Sequence, residues 1–597
     1  MSLWKSLQQT GSVRALDVAL AETVQRQDPG ASDAVLAGVA LASLAVSHGH
    51  AALDLARPQL LVESHTAWPS VDAWARALAD ARCVASPAQP DLESEPKPLV
   101  LENGLLYLRR YREYERRLAR RLRGIAAHSI DADPAPLAPL FRQLFPSGDA
   151  DDLQAQAARL ALERTLLLVT GGPGTGKTTT IARLLVLRIA QARNAGRPDP
   201  RIALAAPTGR AAERMAANLQ RAAAQMAEDG VESTLRASLP ESASTLHRLL
   251  GVIPDAPRFR HGADDPLPLD IVVVDEASMV DLPLMCKLVE AVADGAQLIL
   301  LGDADQLPSV EAGDVLASIL GATGDGQELQ GARVHLMRSW RQSAALDLAP
   351  LAAAVCDGNS ASALALLHGG RLSNVRFHAD ATDPLAACPQ LLEHWCALAA
   401  FDDPAQALQH VGALCLLTAL RDGPQGATTL NARIETLLSG QPSGRSSAWF
   451  RGRLLLIARN SPEHGLSNGD VGICLPDAQG QPRVWFAASG GMRAFHPAAL
   501  PAHESAFAMT VHKAQGSEFD TVFLQLPGRD ARVLSRELLY TGITRARNSL
   551  HLAASEDVLT TALARRAQRV SGLTARLQVA GVRKPYPTTV CPVSDAG

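Results

Sequence analysis

A glycine-rich segment in the first third of the chain has the residues needed to hold phosphate. Residues 171–178 have the sequence GGPGTGKT and fit the pattern G-x-x-x-x-G-K-[ST]. Glycines let backbone N–H groups converge on phosphate oxygens at a helix N-terminus, where the dipole favours negative charge. We expect Lys177 to reach the β- and γ-phosphates and Thr178 to ligate Mg²⁺. The predicted nucleoside triphosphate site comprises Gly171, Gly172, Pro173, Gly174, Thr175, Gly176, Lys177, Thr178 and Thr179.

Two further polar clusters supply groups that phosphoryl transfer to water needs. The apolar run 271–274 ends in Asp275 and Glu276, and the run 298–301 leads to Gln306. At the carboxyl end of a parallel strand, Asp275 would hold Mg²⁺ through water, while Glu276 would orient and deprotonate the attacking water. The Gln306 amide can donate to a phosphate oxygen and accept from water. With the glycine-rich segment, these residues predict an ATPase site.

Hydrophobic patterning indicates the elements that must position these groups. Short apolar runs alternate with helical patterns, which is typical of a parallel sheet covered by helices. The runs lie at 166–169, 202–206, 271–274 and 298–301, and a second set lies at 414–417 and 522–524. The pattern therefore predicts an α/β protein.

Breaks rich in proline and glycine predict the domain boundaries. The first 150 residues are alanine-rich and helical in period, so 1–150 is predicted to be a helical N-terminal domain. The two strand sets predict further domains at 151–345 and 346–597. Turn signals predict a hairpin insertion at about 252–269 and a small β-insertion at about 430–505.

Composition excludes several classes of protein. No apolar run is long enough for a membrane span and the N-terminus lacks a secretory pattern, so we expect a cytoplasmic protein. The eight cysteines are scattered, which argues against zinc, iron–sulfur or disulfide frameworks. Net charge is −4, which neither indicates nor excludes nucleic acid, because a motor needs only local basic strips. Only six lysines occur, and Lys177 and Lys513 are two of them.

A basic stretch at 105–123 mixes eight arginines with three tyrosines at helical spacing. Such a helix could contact nucleic acid or an acidic partner. The pattern favours a solvated helix whose Leu and Tyr positions pack inward.

Five further strings complete a recognisable set of motifs. They are PTGRA at 207–211, STLHRLLG at 244–251, LMRSWRQ at 336–342, VHKAQGSEF at 511–519 and YTGITRAR at 540–547. With the phosphate loop, they make the chain resemble superfamily 1 helicases of the RecD type, the alpha subunit of exodeoxyribonuclease V, over nearly its whole length. This resemblance implies two RecA-like P-loop motor domains, with an SH3-like fold for the β-insertion.

The resemblance also implies roles for individual residues. Gln154 would read adenine, Arg341 would be the arginine finger, and Arg545 would touch the γ-phosphate. Residues Gln515, Gly516 and Glu518 would join nucleotide and DNA sites. The implied DNA contacts are Pro207, Thr208, Gly209, Arg210, Thr245, His247, Thr510, His512 and Lys513. Arg210 stands where the family often has lysine, in keeping with a chain that has fifty-one arginines and only six lysines.

The implied activity is ATP- and Mg²⁺-dependent 5′→3′ translocation on DNA within a helicase–nuclease that processes double-strand ends. Its partners would be RecB-like and RecC-like subunits, with the N-terminal domain docking on a large partner and nuclease activity in another chain. Two alternatives stay open: a stand-alone 5′→3′ helicase with the 252–269 hairpin as its wedge, and a nucleotide-switched scaffold. Glu276, Arg341 and Arg545 argue against a scaffold, because a switch needs neither a catalytic base nor fingers.

Overall fold

The computed structural model describes most of the chain. It covers residues 2–62, 67–86, 97–130, 135–146, 152–253, 256, 258–337, 346–370, 372–440, 449–461, 463–488 and 491–578. Arg341 and the tail beyond residue 581 lie outside the described residues. Within the covered ranges, no helix is long and apolar enough to cross a membrane.

The N-terminal part contains a small mixed sheet as well as helices. Its helices are α1 (Leu3–Gln9), α2 (Ala15–Gln27), α3 (Asp33–Ser47), α4 (Val71–Ala79), α5 (Arg109–Ala126) and α6 (Ala138–Leu144). Its strands are β1 (Leu53–Asp54), β2 (Val84–Ala85), β3 (Leu99–Glu102) and β4 (Leu105–Leu108), in the order β1-β4-β3-β2. The predicted helical domain is present, but the sequence did not predict these strands. Strands of two to four residues show too little alternation for periodicity to reveal them.

Helix α3 is the centre of this N-terminal part. Residues 35–45 are all buried, and they form one core with Trp4, Trp74 and Leu78 from neighbouring helices. A helix that is apolar on all sides must be enclosed, since each buried Leu or Val side chain contributes about 1.5–3 kcal/mol. The N-terminal part therefore has its own core.

The first lobe, residues 152–337, is built on a six-stranded parallel sheet. Its strands are β5 (Leu166–Gly171), β6 (Ile202–Ala206), β7 (Ser244–Thr245), β8 (Ile271–Val274), β9 (Gln297–Gly302) and β10 (Arg333–Leu336), in the order β10-β5-β9-β8-β6-β7. Its helices are α7 (Leu153–Glu163), α8 (Lys177–Asn194), α9 (Gly209–Glu228), α10 (Ser233–Ala237), α11 (Leu246–Leu250), α12 (Leu282–Ala291) and α13 (Val315–Leu320). All four strands predicted for this region are present.

The segment predicted as a hairpin is less regular than a two-stranded ladder. Its described residues contain one antiparallel bridge, between Val252 and Phe259. The Phe259 ring lies edge-on to His247, with ring centroids 5.6 Å apart, and under the Lys287 ammonium at 5.5 Å. Phe259 therefore anchors the segment to the first lobe.

The second lobe begins at residue 346 and contains another parallel sheet, β11-β20-β19-β12-β18. Its strands are β11 (Val375–Ala379), β12 (Leu414–Thr418), β18 (Ala508–Thr510), β19 (Phe519–Gln525) and β20 (Ala546–Ala554). The helices of this part are α14 (Ala349–Asp357), α15 (Ser360–His368), α16 (Pro384–Ala387), α17 (Gln390–Ala397), α18 (Pro404–Val411), α19 (Ala427–Ser439), α20 (Arg536–Ile543), α21 (Glu556–Ala564) and α22 (Leu573–Gln578). Both strand predictions for this lobe are confirmed.

An antiparallel sheet lies in the interval predicted to be a β-insertion. Its strands are β13 (Leu454–Ile457), β14 (Val471–Pro476), β15 (Pro482–Ala488), β16 (Gly491–Phe495) and β17 (His503–Ser505), in the order β16-β15-β14-β13-β17. The predicted start near residue 430 falls inside helix α19, so the strands begin later than expected. The SH3-like topology stays a prediction.

The last described segment leaves the second lobe after α21 and joins the N-terminal part. The Val570 N–H donates to His50 Nδ1 at 2.9 Å, and the Ala51 N–H donates to the Val570 carbonyl at 2.8 Å. Helix α22 packs against α5 and α13, and Thr574 Oγ1 donates to the Ser318 carbonyl at 3.0 Å. We call the joint contact of α5, α12, α13 and α22 the seam.

Candidate nucleotide-binding cleft

The glycine-rich segment forms a tight turn between strand β5 and helix α8. Strand β5 ends at Gly171 and helix α8 begins at Lys177, as the pattern predicts. Gly174 and Gly176 have φ of 79° and 81°, a left-handed conformation that favours glycine. A Cβ on Gly171 would lie 2.6 Å from the Leu336 carbonyl oxygen, so any larger residue would collide with strand β10. The turn thus depends on glycine for both conformation and space.

The Lys177 ammonium lies over this turn. Nζ donates to the Gly171 carbonyl at 2.5 Å and to the Gly172 carbonyl at 3.0 Å. The loop is further tied by Thr175, whose hydroxyl donates to the Gly172 carbonyl at 2.9 Å. Gln154 Nε2 donates to the Thr175 carbonyl at 3.3 Å, so the predicted adenine-reading residue contacts the loop itself. Two carbonyls of the loop hold the ammonium in place, and a compact cation at this position is suited to binding phosphate.

The two predicted carboxylates follow strand β8 directly. Glu276 has φ of 51°, a left-handed conformation that is uncommon outside glycine, and its N–H donates to Asp275 Oδ1 at 2.8 Å. Such backbone strain concentrates at functional sites. Desolvation in the cleft, and then the adjacent Glu276 carboxylate, raise the pKa of Asp275, while Lys177 opposes the shift. The two adjacent carboxylates would repel a phosphate group, so a cation is needed between the carboxylates and the phosphate.

Asp303 directly follows strand β9 and lies behind Gln306, one of the residues that line the cleft. It is 2% exposed, and its Oδ2 accepts from Gln306 Nε2 at 3.1 Å and from the Tyr540 hydroxyl at 3.0 Å. Burial raises the pKa of Asp303. Gln306 Oε1 is buried and has no hydrogen-bond partner among the described residues, leaving an acceptor available for water. Asp303 and Tyr540 were not predicted as site residues, although Asp303 lies between the run 298–301 and Gln306 and Tyr540 begins the string at 540–547.

These groups surround one cavity of about 340 Å³ between the lobes. Predicted site residues supply much of its lining, namely Pro173, Gly174, Thr175, Gly176, Lys177, Thr178, Thr179, Asp275, Glu276, Gln306, Glu518 and Arg545. A wider cavity of about 690 Å³ adjoins it and is also lined by Gly172 and Tyr540. The Thr178 hydroxyl and Asp275 carboxylate share the smaller cavity, and oxygen donors of this kind suit Mg²⁺.

Arg545 reaches this cavity from the second lobe. Its side chain is 2% exposed, with Nε donating to the Thr541 carbonyl at 3.0 Å and Nη1 donating to the Ser517 carbonyl at 3.1 Å. Burial lowers the pKa of Arg545, an effect that Glu276 and Asp303 oppose. The structure therefore places a buried cation from one lobe opposite the acids of the other. The second predicted finger, Arg341, is outside the described residues.

Residues predicted to join nucleotide and DNA lie at the boundary between the lobes. Gln515 Nε2 donates to the Leu307 carbonyl of the first lobe at 3.0 Å. Gly516 and Glu518 accept from Arg214 of helix α9, which sequence analysis did not single out. Arg214 follows a predicted DNA motif by one helical turn, and that spacing is the signal that could have revealed it.

The predicted DNA contacts form local caps and pairs in this structure. Thr208 Oγ1 caps α9 and Thr245 Oγ1 caps α11, while Pro207 and Gly209 flank the first cap. Arg210 Nη1 donates to Ser517 Oγ at 3.1 Å, and Lys513 pairs with Glu504. Thr510 Oγ1 accepts from the Lys513 N–H at 3.4 Å, and burial lowers the pKa of His512. Their role in binding DNA stays a prediction.

Known families match three parts of the chain. The N-terminal domain of RecBCD enzyme subunit RecD matches residues 9–107, an AAA domain matches 154–312, and a UvrD-like helicase C-terminal domain matches 505–553. The RecBCD enzyme subunit RecD of Mycobacterium tuberculosis is 39% identical, covering 97% of both chains. The ATP-dependent RecD2 DNA helicase of Deinococcus radiodurans is 32% identical over 69% of this chain and 50% of its own.

Among solved structures, Bacteroides Pif1 bound to ssDNA aligns with 68% of this chain and 92% of its own, at 17% identity and a TM-score of 0.37.

The AAA and helicase domain matches, on the two halves of one cleft, define the chain as a helicase-type ATPase. It belongs to the RecD subunit family of the RecBCD enzyme.

Proposed function

We propose that this chain is an ATP-dependent 5′→3′ DNA helicase subunit of a RecBCD-like helicase–nuclease that processes double-strand ends. The observation that carries the proposal is the 340 Å³ cavity, which brings Lys177, Glu276 and Gln306 of one lobe together with Arg545 of the other. A site completed only by both lobes couples hydrolysis to their relative motion.

Within this site each group has a task. Lys177 would exchange the carbonyls of Gly171 and Gly172 for phosphate oxygens, and the loop N–H groups would bind the same phosphates. Glu276 would orient a water and take its proton, while the unsatisfied Gln306 oxygen would accept the second hydrogen of that water. Arg545 would approach charge that develops on the phosphoryl group from the second lobe.

Mg²⁺ would be held by the Thr178 hydroxyl and by Asp275 through water. When bound, it would neutralise charge on the β- and γ-phosphates. The pKa of Asp275 is raised by burial and by the Glu276 carboxylate although Lys177 opposes the shift, so a bound cation would stabilise the ionised form.

DNA would bind along the predicted contact residues, and hydrolysis would be stimulated by single-stranded DNA. Thr208 follows strand β6 and Thr245 is the last residue of strand β7, and these strands are neighbours in the sheet, so the two motifs lie on one side of the first lobe. The 5′→3′ polarity, the cytoplasmic location and the RecB-like and RecC-like partners rest on family membership. The domains would be 1–150 for docking on a partner, and 151–345 and 346–597 as motors.

A stand-alone 5′→3′ helicase is the second candidate. The exposed Val252 and Ile253 beside the anchored Phe259 favour it, because exposed apolar side chains on a fixed segment could separate strands. Unwinding by the isolated chain would decide for this candidate.

The first test compares wild type with Lys177→Gln in steady-state ATPase, with and without single-stranded DNA, and in unwinding of 5′- and 3′-tailed duplexes. We expect the substitution to lower kcat by about 100-fold or more, because it removes the ammonium that binds the transferring phosphate. The melting temperature should stay within about 2 °C of wild type, since no core volume is lost.

Thr179→Ser serves as a matched control, because it keeps a hydroxyl two residues after Lys177 in the first turn of α8. It should retain most of the activity. Unchanged hydrolysis in Lys177→Gln would refute the site. Hydrolysis indifferent to DNA in wild type would favour a nucleotide-switched scaffold instead.

A further inference from the structure

Helix α9 carries two arginines that cross from the first lobe to the second. Arg210 and Arg214 are four residues apart, so they lie on the same face of the helix. Arg210 Nη1 donates to Ser517 Oγ at 3.1 Å, and Arg214 Nη1 donates to the Gly516 carbonyl at 3.2 Å. The Arg214 guanidinium also forms an ion pair with the Glu518 carboxylate. Three consecutive residues of the second lobe are therefore bound by one helix of the first.

The same segment, residues 516–518, is held from its own lobe by two further arginines. Arg545 Nη1 donates to the Ser517 carbonyl at 3.1 Å. Arg547 Nε donates to Glu518 Oε2 at 3.2 Å, so the Glu518 carboxylate lies between Arg214 and Arg547. Ser517 therefore bonds both to Arg545, the buried cation of the cleft, and to Arg210 of helix α9.

The Arg214–Glu518 pair is better shielded than an ordinary surface pair. The Glu518 side chain is 9% exposed and that of Arg214 is 27% exposed. Both residues line the two cavities of the cleft together with Gly174 and Thr175. Solvent screens a partly buried pair less than an exposed one. Removing the Arg214–Glu518 pair should therefore cost more interaction energy than removing an exposed pair.

We propose that Arg214 is a positioning residue that couples the two lobes, fixing segment 516–518 and hence Arg545 against the nucleotide. Helix α9 begins at the Thr208 cap, inside a predicted DNA motif, and within its first two turns Ala211 and Arg214 line the nucleotide cavity. A shift of α9 on binding DNA would therefore move segment 516–518. This inference rests on the proposed function. It makes Arg214 the residue through which DNA binding changes the position of Arg545 at the nucleotide.

The test measures DNA-stimulated ATPase of the full chain for wild type, Arg214→Ala and Arg214→Lys. We expect Arg214→Ala to lower the DNA-stimulated kcat roughly tenfold while the KM for ATP changes less than about threefold. Arg214→Lys should recover part of the rate, because it keeps the charge and loses the second hydrogen bond.

Arg221→Ala is the matched control. Arg221 lies on the same helix and lines the same cavity, and it donates to Asn218 of its own helix. Its removal should leave the ratio of DNA-stimulated to basal rate within about twofold.

A readout independent of activity is hydrogen exchange of residues 511–519. Exchange should be faster in Arg214→Ala and unchanged in Arg221→Ala, because only the first substitution frees the segment. Full DNA stimulation and unchanged exchange in Arg214→Ala would overturn the proposal. A wild type without DNA stimulation would instead refute the proposed function, while the exchange measurement would still decide whether Arg214 holds the segment.

Discussion

The nucleotide cleft and the seam join parts of the same chain by different means. At the seam, Leu118 and Leu122 of α5 share one apolar cluster with Leu288 of α12 and with Leu573 and Leu577 of α22. At the cleft, the lobes meet through hydrogen bonds and ion pairs around cavities, and Leu307 of the first lobe packs into the second lobe's core.

The difference indicates which joint can move. Apolar burial is lost outright when a packed interface opens, whereas hydrogen bonds and ion pairs can be exchanged for bonds to nucleotide or water. We therefore expect the N-terminal part, the first lobe and the C-terminal segment to move as one body. The second lobe would turn against this body as the cleft opens and closes.

The largest expected effect comes from removing the buried acid of the seam. Glu115 is fully buried and accepts from the Tyr107 hydroxyl at 3.1 Å, Ser571 Oγ at 2.7 Å, the Gly572 N–H at 3.0 Å and Arg576 Nε at 3.1 Å. Glu115→Ala should lower the free energy of unfolding by about 3–5 kcal/mol, because it leaves buried donors and a cation without this partner. Thermal unfolding followed by calorimetry measures the loss.

The exposed Glu22 of α2 provides the control, and Glu22→Ala should change stability by less than about 0.5 kcal/mol. Nucleotide affinity of folded Glu115→Ala should match wild type if the seam and the cleft are separate. A melting temperature equal to that of wild type would contradict the seam's proposed rigidity.

Lowering the pH should reduce the free energy of unfolding, because His50, which lies near the seam, resists protonation in the folded chain. Burial, and then the nearby Arg569, lower the pKa of His50 to about 4 from an ordinary value near 6.5. Below pH 6.5 the unfolded chain binds a proton that the folded chain does not take up until about pH 4. Stability is therefore fully present above pH 6.5 and falls as pH drops towards 4, by up to about 3 kcal/mol.

The measurement is thermal unfolding of wild type and His50→Gln between pH 7.5 and 4, roughly the span of the expected transition. The variant should lose less stability over this interval, because glutamine cannot take up a proton. His48, whose pKa is also lowered to about 4, acts in the same direction and stays in both proteins. Equal slopes in the two proteins would exclude His50 as a source of the pH dependence.

The same contrast separates what sequence could predict from what it could not. The cleft follows from local rules: glycines at fixed spacing, acids at strand ends and the alternation of strands with helices. Strands β5, β6, β8 and β9 lie where the apolar runs predict them. The left-handed φ of Glu276 has no such signal, because the conformation is imposed by surrounding tertiary structure.

The seam depends on contacts between residues far apart in the chain. Glu115 and Arg576 are 461 positions apart, and no local pattern relates them. The arginines of α5 were predicted to be solvated, with DNA or a partner as alternatives. The Tyr and Leu positions of α5 pack inward as predicted, and Arg117 and Arg120 are exposed. Other arginines are docked within the chain: Arg121 Nε donates to the Val289 carbonyl at 3.1 Å, and Arg112 and Arg576 share Glu102. Intramolecular docking was not among the predicted roles, since periodicity shows which face is polar and not what covers it.

The smallest expected effect tests the exposed border of the seam. Arg117 pairs with Glu290 of α12 through both carboxylate oxygens, and its side chain is 43% exposed. Arg117→Gln should lower the free energy of unfolding by less than about 1 kcal/mol, because solvent screens the pair.

Affinity for single-stranded DNA, measured by fluorescence anisotropy at low salt, should be unchanged in this variant and in Arg120→Gln on the same helix. If α5 bound DNA, both substitutions would weaken binding and reduce its salt dependence, since a protein that neutralises fewer phosphates displaces fewer counterions from the DNA. That result would show that the outer face of the seam binds DNA. The seam would then have a ligand-binding role as well as a structural one, and the contrast with the cleft would no longer hold.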